Sequence, residues 1–429
     1  MPSRAEHTRM PLAVHVLGLA VFALGSSEFM LSGLLPSIAR DMDVSIPQAG
    51  MLISAFAVGM VVGAPLLAVA TLRLPRRTTL IALLAAFGLG QVAGALAPTY
   101  TVLFASRVLS ALACAGFWAV GAAVAVAMVP ATARARALAV MIGGLSIANV
   151  LGVPAGAFLG TNFGWRSAFW AVGAATAVAL AGVVALVPRT AESSAADGAG
   201  RPRLRQEMRI YRDRAVWLSV VTTALVGGGV FCTFSYLAPL LTDVAGLTDP
   251  WVPTVLALFG VGALIGTTLG GRFADAHLFG VMLGGATAST LLLALMAYTA
   301  RSPVAVVVLA FLVGVSAFFT APALNARMFN VAGAAPTLAA ATTTAAFNLG
   351  NTGGPWVGGT VIDLGFGFAS TAWAGAAISA AGIAATVASM RLHRGRASRT
   401  VASSTAPGSS VPAGTEPVSG ASGAATRRR

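Results

Sequence analysis

The sequence predicts an all-α membrane protein: twelve transmembrane helices in two pseudo-symmetric six-helix bundles, with both termini in the cytoplasm. Three observations carry that prediction. Of 429 residues, 57% are hydrophobic and only 9% are charged, where a soluble domain holds about 25% charged residues. The apolar residues gather in twelve runs, each near the ~20 residues a helix needs to cross ~30 Å of hydrocarbon. The basic residues, all 27 of them arginine, fall almost entirely between alternate pairs of runs.

The runs span 11–35, 47–71, 79–97, 102–129, 138–160, 166–187, 215–241, 251–271, 279–299, 303–326, 336–361 and 367–389. The first follows Arg4 and Arg9 as a signal peptide would. It is too long for such a peptide's apolar region and has no small-x-small cleavage site, so it reads as a helix. Breaks follow in order: "LRLPRRTTL" after the second run, "APTY" after the third, "VPATARAR" after the fourth and "GWRSAFW" after the fifth. In the second half they are "TDVAGLTDPW", "GRFADAHLFG", "TARSPV", "GAAP" and "DLGFGF".

With the N-terminus inside, the cytoplasmic loops carry Arg73, Arg76, Arg77, Arg134, Arg136, Arg272 and Arg327. Three arginines fall outside (Arg40, Arg166, Arg301), and Arg107 lies within a run. Positive charge retained on one side is the usual determinant of orientation. The +14 net charge is therefore a topology signal, and nucleic acid is not an expected partner.

Domain boundaries follow: a cytoplasmic N-terminus (1–10), a six-helix bundle (11–187), an Arg-rich cytoplasmic linker (188–214), a second bundle (215–389) and a disordered cytoplasmic tail (390–429). The linker begins rich in Ser, Ala and Gly and ends rich in Arg. It reads equally as an amphipathic helix on an anionic leaflet or as a solvated joiner. The two bundles echo each other. Gly152, Gly156 and Gly160 recur as Gly350, Gly354 and Gly358 at an offset of 198 residues, with Pro154 and Pro355 nearby. Small residues at every fourth position let helices approach closely. A duplicated plan of this kind places a substrate between the halves near the midplane.

Other chemistries are excluded on composition. Without lysine there is neither a Walker A loop nor a Schiff base. His7, His15, His277, His393, Cys114 and Cys232 show no metal-ligand spacing, so no metal or cofactor is expected. The run "GLGQVAG" (88–94) lies inside an apolar helix with no preceding strand, and reads as helix packing rather than a dinucleotide loop. No nucleophile–base pair appears, so the chain is not expected to be an enzyme.

Against this background "GSSEFMLSGLLP" (25–36) stands out. Glu28 lies in the first run, eight residues before Pro36, on the order of 12 Å from the helix end at ~1.5 Å per residue. Arg107 lies at a similar depth in the fourth run. Ionisable groups inside membrane spans mark functional sites. Gly18, Gly25, Glu28 and Ser32 share one helical stripe, and Arg107, Ser110, Cys114 and Gly121 another.

The six-plus-six plan, "GWRSAFW" (164–170) and Arg107 in "LFASRVLSALACAGFW" resemble the major facilitator superfamily, and within it the twelve-helix drug:proton antiporters. "LRLPRRTTL" matches the superfamily's loop motif at Arg73, Arg76 and Arg77. It departs at Leu72, where aspartate is usual, and at Pro75, where glycine is usual. "GGRFAD" (270–275) supplies Arg272 and Asp275 in the second half. "GVPAG" (152–156) resembles the antiporters' fifth-helix motif, with Val153 in place of a glycine. Together with "SAFAVGMVVGAPLLA", these segments are most similar to the chloramphenicol efflux proteins of actinomycetes, over roughly residues 10–390.

The resemblance implies export of chloramphenicol or a related neutral amphipathic antibiotic in exchange for protons, by a monomer in the bacterial plasma membrane. Glu28 would carry the proton and Arg107 would tune it: burial disfavours a carboxylate's charged form, and a guanidinium favours it. The competing reading is a fixed Glu28–Arg107 ion pair that only orders two helices. Expected substrate contacts are Phe29, Ser32, Asn149, Phe231, Phe234, Tyr236, Asn325, Asn348 and Asn351, aromatic walls with neutral hydrogen-bonding groups. Arg73, Arg76, Arg77, Gly152, Pro154, Gly156, Arg272 and Asp275 are expected to gate, the loop arginines by latching one half to the other. Export of another small solute, such as a sugar or an endogenous metabolite, is the nearest alternative. A non-transport scaffold or receptor is a more distant one.

Overall fold

The computed structural model describes residues 10–71, 74–130, 133–188, 208–333 and 336–404, and these are helical with no strand among them. The first half comprises α1 (Leu12–Phe29), α2 (Leu35–Asp41), α3 (Ile46–Ala70), α4 (Arg76–Ala95), α5 (Tyr100–Ala127), α6 (Arg134–Ile147), α7 (Val153–Phe163) and α8 (Trp165–Leu186). The second comprises α9 (Arg214–Phe234), α10 (Val252–Tyr298), α11 (Pro303–Ala332), α12 (Pro336–Val361) and α13 (Ser370–Ser404). Eleven stretches of these described residues are long and apolar enough to cross a membrane. The eleventh predicted run forms the 26-residue α12, whose Thr, Asn and Gly content leaves it outside those eleven. Large apolar side chains on outer faces, such as Leu89, Phe158, Val178 and Trp373, are more than half exposed, as hydrocarbon-facing groups would be.

Several predicted spans change where backbone geometry intervenes. The first run is not one helix: α1 stops at Phe29, a tight 3-10 turn covers Met30–Gly33, and α2 begins at Leu35. Glu28 therefore sits in the last turn of a helix rather than two turns before its end. The fifth run is split by a wide turn over Ala148–Gly152, just before Pro154. The break predicted between the eighth and ninth runs narrows to a kink at His277, with φ −138° and ψ 55°. Arg327, assigned to a cytoplasmic loop, lies within α11 and is 4% exposed. Its guanidinium stacks over Phe279 at 5.1 Å and its Nε donates to Ser389 at 3.3 Å. Helix α13 continues past the tail boundary at 390 as far as Ser404.

Glycine explains how the halves are built alike. Helix α7 and the turn before it seat on the end of α1 and the turn after it: Gly152 faces Ser26, Gly156 faces Met30 and Gly160 faces Leu34, each at close range. In the second half α12 seats on α9 in the same way, with Gly350 against Gly228, Gly354 against Cys232 and Gly358 against Tyr236. Removing Cβ lets backbones approach closely enough for dispersion to hold them where no water drives association. Outside the bundle, Trp165 and Arg166 of "GWRSAFW" both donate to the Asp41 carboxylate, and Arg166 also donates to the Ala97 carbonyl at 3.1 Å. These contacts tie α2, the end of α4 and the start of α8 together. The Arg166 hydrogen bond, opposed by burial and helped by Trp165, holds the Asp41 carboxyl below its ordinary range.

Candidate transport site

Where α1 gives way to the 3-10 turn, Glu28, Phe29 and Ser32 line a small cavity together with Ile53, Phe56 and Ala57 of α3, Phe231 of α9 and Asn351 of α12. The cavity offers about 10 Å³ to the centre of a water molecule, room for roughly one water. Both halves contribute to it. Phe29 and Phe231 stack across the divide, centroids 5.6 Å apart, and Phe231 meets Phe234, which stacks on Phe259 at 4.4 Å. Five sequence-predicted residues therefore converge: Glu28, Phe29, Ser32, Phe231 and Asn351. Asn348 lies one turn before Asn351 on α12, and both carboxamide oxygens are buried without a hydrogen-bond partner. Buried unmet acceptors are uncommon and point to an absent donor.

The other expected contacts have different surroundings. Tyr236 is wholly buried: its hydroxyl donates to the Pro355 carbonyl at 2.9 Å, and its ring fills the space that Gly50 and Gly358 leave open. Phe234 is a link in the aromatic stack, behind Phe231. The Asn149 backbone carbonyl packs against Gly260, where the turn after α6 meets α10. Asn325 bonds back to the Ala321 carbonyl of its own helix at 2.8 Å.

Glu28 and Arg107 are near enough for their charges to interact, but they form no ion pair: the one ion pair within 4.0 Å among the described residues is Arg166–Asp41. The fixed-pair reading is thus not the arrangement found. Arg107, entirely buried, donates instead to Ser27, through Nη1 to the hydroxyl at 2.8 Å and Nη2 to the carbonyl at 2.9 Å. The last four carbonyls of a helix lack partners within it. A cation from a neighbouring helix satisfies one of them here and complements the negative end of the helix dipole. The guanidinium also lies over Phe56, 4.4 Å from its ring centre, so one aromatic ring backs onto the cation and faces the cavity.

Sequence reasoning missed the partner that completes this arrangement. Gln91 of α4, fully buried, accepts from the Ser27 hydroxyl at 3.3 Å and donates to Ser110 of α5 at 3.2 Å. Its signal was present: a carboxamide in an apolar helix, flanked by Gly90 and Gly94, which face Ser110, Ser106 and Phe169 closely enough to bring α4 onto α5 and α8.

The gating candidates are dispersed. Gly152 and Gly156 seat α7 and the turn before it on the end of α1 and the turn after it, and Pro154 starts α7. Arg77 donates to the Val184 carbonyl of α8 at 2.6 Å, so in this conformation it braces its own half rather than crossing to the other. Arg76 opens α4, and Arg272 is exposed. Arg73 and the side chain of Asp275 lie outside the described residues. The halves meet through other groups: Ser54 donates to the Thr352 carbonyl at 3.0 Å, Tyr236 packs on Gly50, Leu256 fills the notch at Gly33, and Pro47 faces Gly359.

Two apolar-skinned halves that share a mostly apolar cavity holding one carboxyl group fit a multi-pass membrane transporter rather than an enzyme. Comparison with known proteins agrees. The family model described as Major Facilitator Superfamily matches residues 17–355, and the chain belongs to that superfamily. It is 42% identical over 368 residues to a chloramphenicol resistance protein of Streptomyces lividans, covering 85% of this chain and 93% of that one. It is 37% identical to the inner membrane transport protein YdhP of Escherichia coli strain K12, covering 85% and 92%. Among solved structures it resembles a bacterial homologue of the human lysosomal transporter Spinster in an inward-facing, occupied conformation, with TM-score 0.71 at 16% identity, covering 89% and 96%. These relatives make the chain a multi-pass protein of the cell membrane.

Proposed function

We propose that the protein exports chloramphenicol or a related neutral amphipathic antibiotic in exchange for protons, by alternating access between its two six-helix halves. In this reading α12 is the remaining crossing, which makes twelve, and both termini are cytoplasmic. The observation that carries the proposal is the makeup of the cavity. One carboxyl group, free of any ion pair, shares a space with three aromatic rings and an unmet carboxamide oxygen, and the lining comes from both halves. Aromatic walls accept a ring, and Asn348 and Asn351 accept from hydroxyl or amide N–H groups. Glu28 takes a proton when the cavity opens outward and gives it up when the cavity opens inward. Movement of the halves at the Tyr236–Gly50 and Ser54–Thr352 contacts changes which side has access.

The printed name of the Streptomyces relative supports the drug, and that of the Escherichia coli relative supports transport in general, so export of another small solute is the second reading. Growth of cells expressing the protein on chloramphenicol separates them. Resistance that disappears with a protonophore supports the first reading; no resistance at any expression level removes chloramphenicol as the substrate.

A further inference from the structure

Behind Phe56 a chain of three hydrogen bonds links α1, α4 and α5. It runs from Arg107 to Ser27, from Ser27 to Gln91 and from Gln91 to Ser110, returning to α5 one turn beyond Arg107. Every member is at most 1% exposed. A guanidinium only donates, so the Ser27 hydroxyl accepts from Arg107 and directs its own hydrogen to Gln91 Oε1. The Gln91 amide nitrogen is left to donate to Ser110. Arg107 is nevertheless under-satisfied, since its Nε is buried without a partner. A carboxylate lies one residue beyond Ser27, and bonds between charged groups are roughly twice as strong as neutral ones. Something must therefore keep the guanidinium on Ser27.

We infer that Gln91 is a positioning residue for the proton site: by fixing the Ser27 hydroxyl, it holds Arg107 on the end of α1 and off the Glu28 carboxylate. The inference rests on the proposed proton-carrying role of Glu28 and adds a regulator to it. Without Gln91, the Ser27 hydroxyl turns back to a carbonyl of its own helix, as Ser26 does toward Phe22 at 2.7 Å. Arg107 then loses its Nη1 partner and pairs directly with Glu28. A carboxyl group in a direct ion pair gives up its proton at lower pH. The hydrogen-bond chain thus keeps Glu28 within reach of both protonation states, which a salt-bridged carboxylate is not.

The test uses the full-length protein in lipid and no drug. Infrared difference spectra recorded across pH follow the carbonyl stretch of the protonated carboxyl group that is missing in Glu28→Gln. In Gln91→Leu and in Ser27→Ala, the pH at which this band is half lost is expected to move toward acid by about 0.5 unit or more, roughly a threefold change in proton affinity. Ser110→Ala, which cuts only the far anchor of Gln91, is expected to move it the same way by less. It also serves if Gln91→Leu does not fold. A band whose midpoint stays within about 0.2 unit in all the folded variants, or moves toward base, overturns the role of Gln91 and leaves Glu28 as the proton carrier. Absence of any titrating Glu28 band in the unmodified protein instead removes the proton-site reading, and this inference with it.

Discussion

The two halves share a way of packing and divide the chemistry. In each, glycines at every fourth position seat one helix on another: Gly152, Gly156 and Gly160 on α1 and the turn after it, and Gly350, Gly354 and Gly358 on α9. The polar content placed on that common frame differs. The first half brings Glu28 to the cavity and backs it with the Arg107–Ser27–Gln91–Ser110 hydrogen-bond chain. The second brings neutral groups, Phe231 and Asn351, with Asn348 one turn away. Its own buried arginine, Arg327, is engaged with Phe279 and Ser389 instead. The difference teaches that duplication conserves helix contacts while leaving each half free to specialise. In the proposed function the first half would handle the proton and the second would recognise the cargo.

That division can be broken or sharpened by substitution. The largest effect is expected from Glu28→Gln. Concentrative drug export should fall nearly to the level of cells lacking the protein, while drug–drug exchange in vesicles persists, because the cavity is intact and only its titrating group is gone. In the second half, Asn351→Leu should weaken drug binding by about five- to tenfold, the loss of one hydrogen bond of ~1 kcal/mol. Glu28 titration, followed by infrared spectroscopy, should stay where it was. A comparable change in both properties would erase the proposed separation. The shared frame is tested by Gly354→Val, which forces a branched side chain against the α9 backbone near Cys232. A loss of about 1–3 kcal/mol, read as a lower Tm in detergent, is expected from overpacking, with Gly156→Val in the first half giving a smaller loss because its neighbour is the Met30 side chain rather than backbone.

The smallest effect concerns Asp41. Because its folded-state pKa lies below the ordinary value, its contact with Arg166 stabilises the fold above about pH 4. That contribution is lost as pH falls through the lowered value. Asp41→Asn should therefore lower Tm at pH 7 and make no difference once the pH is below the lowered value. The carboxylate is 44% exposed, so solvent screening limits the effect to at most about 1 kcal/mol.

Much of this architecture was legible in the residues. Apolar runs mark helices because lipid leaves the backbone no partner but itself, and the superfamily followed from the repeated glycines together with loop and helix motifs. Glu28 and Ser32 were readable as cavity candidates from a small-residue stripe, while Phe29, Phe231 and Asn351 were expected cavity contacts on the family resemblance. What could not be read depended on backbone breaks and on rotamers. The 3-10 turn at Met30–Gly33 frees carbonyls at the end of α1, and this draws Arg107 to Ser27 rather than to Glu28. Matching depth along two helices gives proximity but not partner choice. Gln91 was seen only as part of a glycine run, because its role depends on two hydroxyls from other helices. Arg327 was misplaced because an arginine near a span's end looks like a loop cation until the helix proves longer.

The most direct test of the central claim, that one carboxyl group couples cargo to protons, is a vesicle experiment. Purified protein is sealed into liposomes containing a pH dye, and a chloramphenicol gradient is imposed without any pH gradient. Drug flow should drive protons the opposite way in the unmodified protein and drive none in Glu28→Gln, although both exchange labelled drug. Equal proton movement in the two proteins, or drug flux without proton movement in the unmodified one, would contradict it.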